Sequence, residues 1–427
     1  MKQTRPYPRI IVTRKAARSL SGGHPWVFEG EVLRCEPSPV DGRPADNGDV
    51  VDVFEENGTW QGAGLLSEQS KIRVRLVTRN ANDLVDERFW ERRVRWAWQH
   101  RVSCLGGRGL PGAESDLSCC RVVFSEADSM PGLVVDRYEH VLVAQVGTVG
   151  MERLRDTVYP LLLETLRDSG QDVSAIYERN DAPSRAKEGL PLYKGWWDGA
   201  PAPSSPVVSV RENGLSFAVD IENSQKTGFF LDQKYNRRAV RRLAHGRRVL
   251  DCFCHVGPFG MNAAAGGADF VRCVDVSQSA LDLAEKNARL NGLSDRMGFT
   301  CANVLDYLPE LRRDRGRLRE EGGPFDLIVL DPPAFTKSRG TVAHAARGYR
   351  EINCEALRLL PRGGYLATCS CSHFMTRDLL AKAVADAAHV ANVQLKQVEE
   401  RQQAPDHPIL WGFPESHYLD FFIFQVV

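Results

Sequence analysis

Two cysteines two positions apart, Cys369 and Cys371 in the segment LATCSCSHFM, follow an apolar run and the tetrad Pro-Arg-Gly-Gly. Such a pair can be a redox couple, half of a metal site, buried packing, or a nucleophile beside a packed neighbour. On a strand the two share a face, with Cα atoms roughly 6.6 Å apart from the rise per residue. Parallel side-chain vectors at that spacing disfavour a disulfide. Neither Cys252 with Cys254 nor Cys119 with Cys120 completes a zinc set of the usual spacing, so no metal is expected. One buried and one reactive thiol remain. If the strand runs toward an open edge, Cys371 stands at its mouth and Cys369 one pleat deeper.

A thiol needs company to do chemistry, and FDLIVLDPPAFTKS offers it. Pro332 and Pro333 end an apolar strand and stiffen the loop at its C-terminal edge, where open α/β sheets bind ligands. Asp331 could bond the polar edge of a planar base while Phe335 stacks on its face. Cytosine C5 becomes a nucleophile only after a thiolate adds at C6, and Asp331 near N3 would hold the ring and stabilise the change there. The plain alternative is an Asp-Pro-Pro turn that merely stops a strand.

VLDCFCHVGPFGMNAAAGG reads as an apolar strand, a turn with Gly257 and Gly260, and small residues opening a helix. Asp275 ends the next apolar strand 18 residues after Gly257, about where an acid takes both hydroxyls of a ribose. Pro258 removes a backbone donor from the turn. That suits a cofactor without phosphates, such as S-adenosylmethionine, better than a dinucleotide. Asn303 and Asp306, after a third strand, could meet an adenine edge.

Several elements must position these groups. RVLDCFC, FVRCVDV, FDLIVLD and GGYLATCSC alternate with helix-like segments, which predicts a doubly wound, mostly parallel sheet over 207–427, opened by a hairpin at Asn213-Gly214. Residues 1–80 carry short β-like runs and an Asn57-Gly58 turn and read as a small β-barrel. In KIRVRLVTR, Ile72, Val74 and Leu76 are expected to face a core, and Lys71, Arg73 and Arg75 solvent. Residues 81–200 read as a central α+β domain, and GWWDGAPAPSSP at 195–206 as a linker. The chain has 427 residues, too many for one ordinary core, and 55 basic residues balance 55 acidic ones, so nucleic-acid binding must rely on local patches. No stretch approaches a membrane span or a signal peptide, and eleven scattered cysteines fit a reducing compartment, so a soluble cytoplasmic protein is expected.

Together these residues resemble the bacterial class I S-adenosylmethionine-dependent methyltransferases that modify cytosine C5 in large-subunit (23S) ribosomal RNA and carry an N-terminal PUA domain. GGHPWVFEGEV looks like the PUA barrel, EADSMPGLVVDRYEHVLVAQV like the central domain, and SQKTGFFLDQKYNRR like the signature that introduces the catalytic domain. RGYREIN and RQQAPDHP match further blocks. The resemblance implies a Rossmann-like domain with a seven-stranded sheet and a nucleophile in Ser370-Cys371-Ser372, although Thr368-Cys369-Ser370 spells the triplet of the wider group by letter. It implies a cofactor site of Gln225, Thr227, Phe230, Gly257, Asp275, Asn303 and Asp331. The substrate side would involve Pro332, Pro333, Phe335, Arg347 and Tyr349, with Lys71, Arg73 and Arg75 of the barrel and Arg237, Arg238, Arg241 and Arg242 touching RNA.

Ala334 stands where many relatives carry a second cysteine, so another base must remove the C5 proton. The expected partner is ribosomal RNA or a large-subunit assembly intermediate, with dimerisation left open. A guanine-N7 or base-amino methyltransferase would leave Cys371 idle. A non-catalytic RNA-binding assembly factor would have no use for Asp275 and Asp331.

Overall fold

Strands covered on both faces read as mainly apolar runs, and four such runs form the centre of the larger sheet. A computed structural model of the protein describes residues 5–106, 113–224, 227–336 and 338–427. They form two compact units. One holds the described residues up to Arg211 with Val219–Leu231 and Pro405–Ser416; the other holds Glu212–Ala218, Asp232–Ala404 and His417–Val427.

In the second unit the sheet runs Met297–Cys301, Phe270–Asp275, Arg248–Cys252, Leu327–Leu330, Tyr365–Ser370, Asp420–Val426, Leu395–Gln402. Its first five strands pair in parallel. The last two pairings are antiparallel. The chain lays three strands outward in one direction, then returns to the other side of Arg248–Cys252, so a topological switch point opens beyond Cys252 and Leu330. Helix Val342–Leu359 covers one face through Tyr349, Ile352, Ala356 and Leu357, which join Leu250, Val274, Leu330 and Phe422 in the core.

Arg237, expected to touch RNA, lies inside this unit on helix Lys234–Leu243: its side chain is 1% exposed and its guanidinium holds both oxygens of Glu212, at 2.8 and 2.9 Å. Arg241 donates to the Asn213 carbonyl at 2.6 Å, and Arg238 donates to the Asn213 side chain. Only Arg242 of the four is exposed, paired with Glu399. Arg237→Ala strands the Glu212 carboxylate and is expected to cost about 3 kcal/mol of stability by urea unfolding; an unchanged midpoint would show that the pair adds nothing.

The first unit contains a six-stranded sheet in the order Trp26–Phe28, Ile72–Thr78, Trp60–Leu66, Val50–Glu55, Arg9–Val12, Val32–Glu36. Ile10, Val12, Val51, Val53, Val74 and Leu76 form its core. The β-only reading of this stretch misses the helix Arg14–Ser21, capped by the Thr13 side chain and seated by Ala16, Ala17 and Leu20. The basic outward face expected of Lys71, Arg73 and Arg75 is also corrected. Residues 74–78 are all buried, so both faces of the strand are covered. Arg75 is 7% exposed and bonds Glu188 at 2.9 Å, with Glu126 at 3.8 Å. Arg73 is paired with Glu29 at 2.7 Å, and Lys71 alone of the three is exposed.

A five-stranded sheet in the same unit runs Tyr193–Trp196, Ala175–Asn180, Val141–Val146, Leu133–Tyr138, Cys119–Phe124. Gly195 and Trp196 therefore belong to a strand, paired across Tyr177 and Glu178, and Trp197 donates its N–H to the Ile176 carbonyl. The linker starts later than its composition suggests.

Candidate active site

Parallel register brings the two halves of the site together. Leu330 pairs with Thr368, so the next residues on each strand, Asp331 and Cys369, emerge side by side at the switch point. Cys369 is fully buried, and its thiol donates to Asp331 Oδ1 at 3.0 Å, with the Leu330 carbonyl at 3.5 Å. Burial and the adjacent Asp331 carboxyl push that thiol far up, which keeps it protonated. Cys371 stands one residue beyond the strand, half-buried, with Sγ 3.9 Å from the Pro332 carbonyl. The two thiols are thus unlike in burial and in company.

Gln233 joins the pair from the short helix Leu231–Gln233. Its Nε2 donates to Asp331 Oδ1 at 3.1 Å and to Cys369 Sγ at 3.4 Å. Burial raises the Asp331 pKa; the hydrogen bonds from Cys369 and Gln233 and the positive Arg237 work the other way. Beyond Asp331, Pro332 is buried and Pro333 exposed. Phe335 is half-buried, its ring 4.8 Å from that of Tyr349 and tilted by 45°. Tyr349, expected to meet substrate, is instead fully buried, because it lies on the inward face of its helix with Ile352 and Asn353. It supports Phe335 from beneath. Arg347, two residues earlier, is exposed.

The first turn follows Arg248–Cys252. Phe253, His255 and Gly257 all have positive φ, at 59°, 52° and 78°, which curls the backbone tightly into helix Pro258–Ala265. Gly260 packs where no side chain fits, since a Cβ there would lie 2.5 Å from Cys273 Sγ. Its N–H donates to Asp251 Oδ2 at 2.8 Å. Burial pushes the Asp251 carboxyl up to about 8, and its Oδ1 is buried with no hydrogen-bond partner among the described residues. Asp275 accepts from the backbone N–H groups of His255 and Ser277, each at 2.9 Å, so it ties the turn to the second strand. Asn303 caps helix Val304–Arg313 by accepting from Leu305 N–H and donates to Asp306 at 2.8 Å.

These groups fit S-adenosylmethionine. Carboxylates at Asp275 and Asp306 can take ribose hydroxyls or an ammonium and would repel a pyrophosphate, and the buried Asp251 carboxyl has an oxygen left to bond a polar group. Asp251 and Gln233 were not singled out from sequence. Asp251 had a readable signal, a lone carboxylate in the apolar strand RVLDC, whereas nothing in the spacing of LDQKYN marks Gln233.

The second unit contains Gly257, Asp275, Asn303, Asp331, Phe335, Cys369 and Cys371. Thr227 and Phe230 belong to the first unit, where the Thr227 hydroxyl is buried and bonded to Asp136. Gln225 lies outside the described residues. Among the described residues no cluster of three or more His, Cys, Asp or Glu side chains is placed to hold a metal ion, and no helix is long and apolar enough to cross a membrane.

The family model for S-adenosylmethionine-dependent methyltransferases matches residues 193–412, and that for PUA-like domains matches residues 10–79. Ribosomal RNA large subunit methyltransferase I of Shewanella amazonensis is 40% identical over 412 residues, covering 96% of this chain and 97% of its own. The protein of the same name from Aeromonas hydrophila is 40% identical over 411 residues, with the same coverages. Two solved structures share the fold at 20% identity, each covering 98% of this chain and 100% of its own. One is a SAM-dependent methyltransferase from Streptococcus mutans, TM-score 0.77, and the other a methyltransferase complexed with SAH, TM-score 0.78. With a PUA-like domain ahead of a Rossmann-like catalytic domain, the chain belongs to the S-adenosylmethionine-dependent methyltransferase family, alongside the relatives named Ribosomal RNA large subunit methyltransferase I.

Proposed function

We propose that this enzyme forms 5-methylcytidine in large-subunit ribosomal RNA, free or in an assembly intermediate, with Cys371 as the attacking thiol. The observation that carries the reading is the contrast between the two thiols beside Asp331. Cys369 is buried with its proton aimed at the carboxyl, while Cys371 is half-buried at the end of the strand. The relatives' names support the choice of ribosomal RNA, and a ribosomal substrate accords with a cytoplasmic enzyme.

When bound, S-adenosylmethionine supplies an electrophilic methyl group on a sulfonium. The chain's own residues make the base reactive. The Cys371 thiolate adds at C6 of cytosine, the displaced electron pair makes C5 an enamine carbon, and N3 takes a proton from the Asp331 carboxyl. The raised Asp331 pKa keeps that proton available at higher pH than an ordinary carboxylic acid would. After C5 gains the methyl group it loses its hydrogen to a base, the thiolate departs, C5=C6 reforms, and N3 returns its proton. Ala334 offers no acceptor for the C5 proton, so that base lies elsewhere. Phe335, Pro333 and Arg347 stand on the substrate side, with Phe335 braced by Tyr349.

RNA carrying 5-fluorocytidine tests the adduct, because fluorine cannot leave C5 as a proton does. Wild-type enzyme with S-adenosylmethionine is expected to form a complex stable to denaturing electrophoresis, and Cys371→Ala none. A wild type that methylates cytidine yet traps no fluorinated RNA would contradict the covalent route.

A further inference from the structure

The amide of Gln233 is oriented by a chain of hydrogen bonds that begins at an arginine. Arg401 can only donate, and its Nε bonds Asn236 Oδ1 at 3.2 Å. Asn236 must then turn its Nδ2 toward Gln233 Oε1, 2.7 Å away. Gln233 in turn presents Nε2, with two N–H groups, to Asp331 Oδ1 and Cys369 Sγ. Cys369 sends its own proton to the same Oδ1. Two donors therefore converge on one oxygen of the carboxyl, and both of these side chains, with Asn236 behind them, are buried.

We propose that Gln233 and Cys369 are positioning residues that keep Asp331 Oδ1 an acceptor, so that the carboxyl carries its proton on Oδ2 and selects a base whose N3 accepts. Cytosine N3 is such an acceptor; uracil N3 bears a hydrogen and would oppose the Oδ2 proton. The inference rests on the cytosine reading above and gives Cys369 a task in that site. Asp232, Asp251, Arg237 and Tyr349 also act on this carboxyl or sense its charge.

The test uses full-length enzyme, ribosomal RNA and S-adenosylmethionine, with kcat followed across pH for Cys369→Ala, Cys369→Ser and Gln233→Met. Cys369→Ala and Gln233→Met are each expected to lower kcat about tenfold, with KM for S-adenosylmethionine changed less than about twofold. Each loses a donor that stabilises the Asp331 anion, so the alkaline limb of the rate profile should move to higher pH. Cys369→Ser keeps a donor and should recover both kcat and limb. A purely packing role would instead leave the limb in place. If wild type makes 5-methylcytidine but folded Cys369→Ala and Gln233→Met keep wild-type kcat and limb, the inference fails alone. Should either variant not fold, the other decides. A wild-type product other than 5-methylcytidine sinks the cytosine reading and the inference together.

Discussion

Cys371→Ala is expected to lower methyl transfer to ribosomal RNA by more than about 10³-fold, the scale of losing a covalent nucleophile. In the proposed mechanism C5 has no other route to becoming nucleophilic, because Cys369 cannot substitute: it is fully buried and its proton is committed to Asp331. S-adenosylmethionine binding should persist, since the turn after Cys252 and the Asp251 and Asp275 side chains, proposed to hold it, are untouched. Single-turnover rates with labelled methyl donor check the first statement and calorimetry the second. Activity within tenfold of wild type would remove Cys371 from the chemistry.

Asp331→Asn is expected to lower kcat by roughly 10²–10⁴-fold, the usual range for a lost general acid. The amide keeps the shape and still accepts from Gln233 and Cys369, but it has no acidic proton for N3. The sign of the pH effect follows from the raised pKa. In the proposed mechanism the reactive form of Asp331 is the acid, so wild-type activity should fall as pH rises through the folded-state value, which burial raises above that of an ordinary aspartate. Thiolate supply acts oppositely and limits the rate at low pH. Asp331→Asn should therefore keep the acid-side limb and lose the alkaline one. A variant with the wild-type bell would show that another group supplies the proton.

The sheet that would carry the proposed chemistry was legible because its central strands are largely buried and appear as the mainly apolar runs RVLDC, FVRCVD, LIVL and YLATCS. The neighbourhood of Asp331 and Cys369 was legible too, since both end such runs. Burial of charge was not. The alternation in IRVRLVT assumes one solvated face, and the strand instead buries both, with Glu188 neutralising Arg75 from 113 positions away. Tyr349 was misplaced for a related reason: a motif names residues, whereas helix phase decides which of them face inward. Gln233 acts through Asp331 and Cys369, which are 98 and 136 positions distant. No local spacing encodes such contacts. The same holds for the division into compact units, because residues 219–231 and 405–416 return to the first one.

The most direct test is identification of the nucleoside. Ribosomal RNA labelled by wild-type, Cys371→Ala and Cys369→Ala enzyme in the presence of S-adenosylmethionine is digested and its methylated nucleosides separated by mass. The expected result is 5-methylcytidine from wild type and, more slowly, from Cys369→Ala, with none from Cys371→Ala. A 7-methylguanosine or an amino-methylated product, or 5-methylcytidine that survives loss of Cys371, would contradict it.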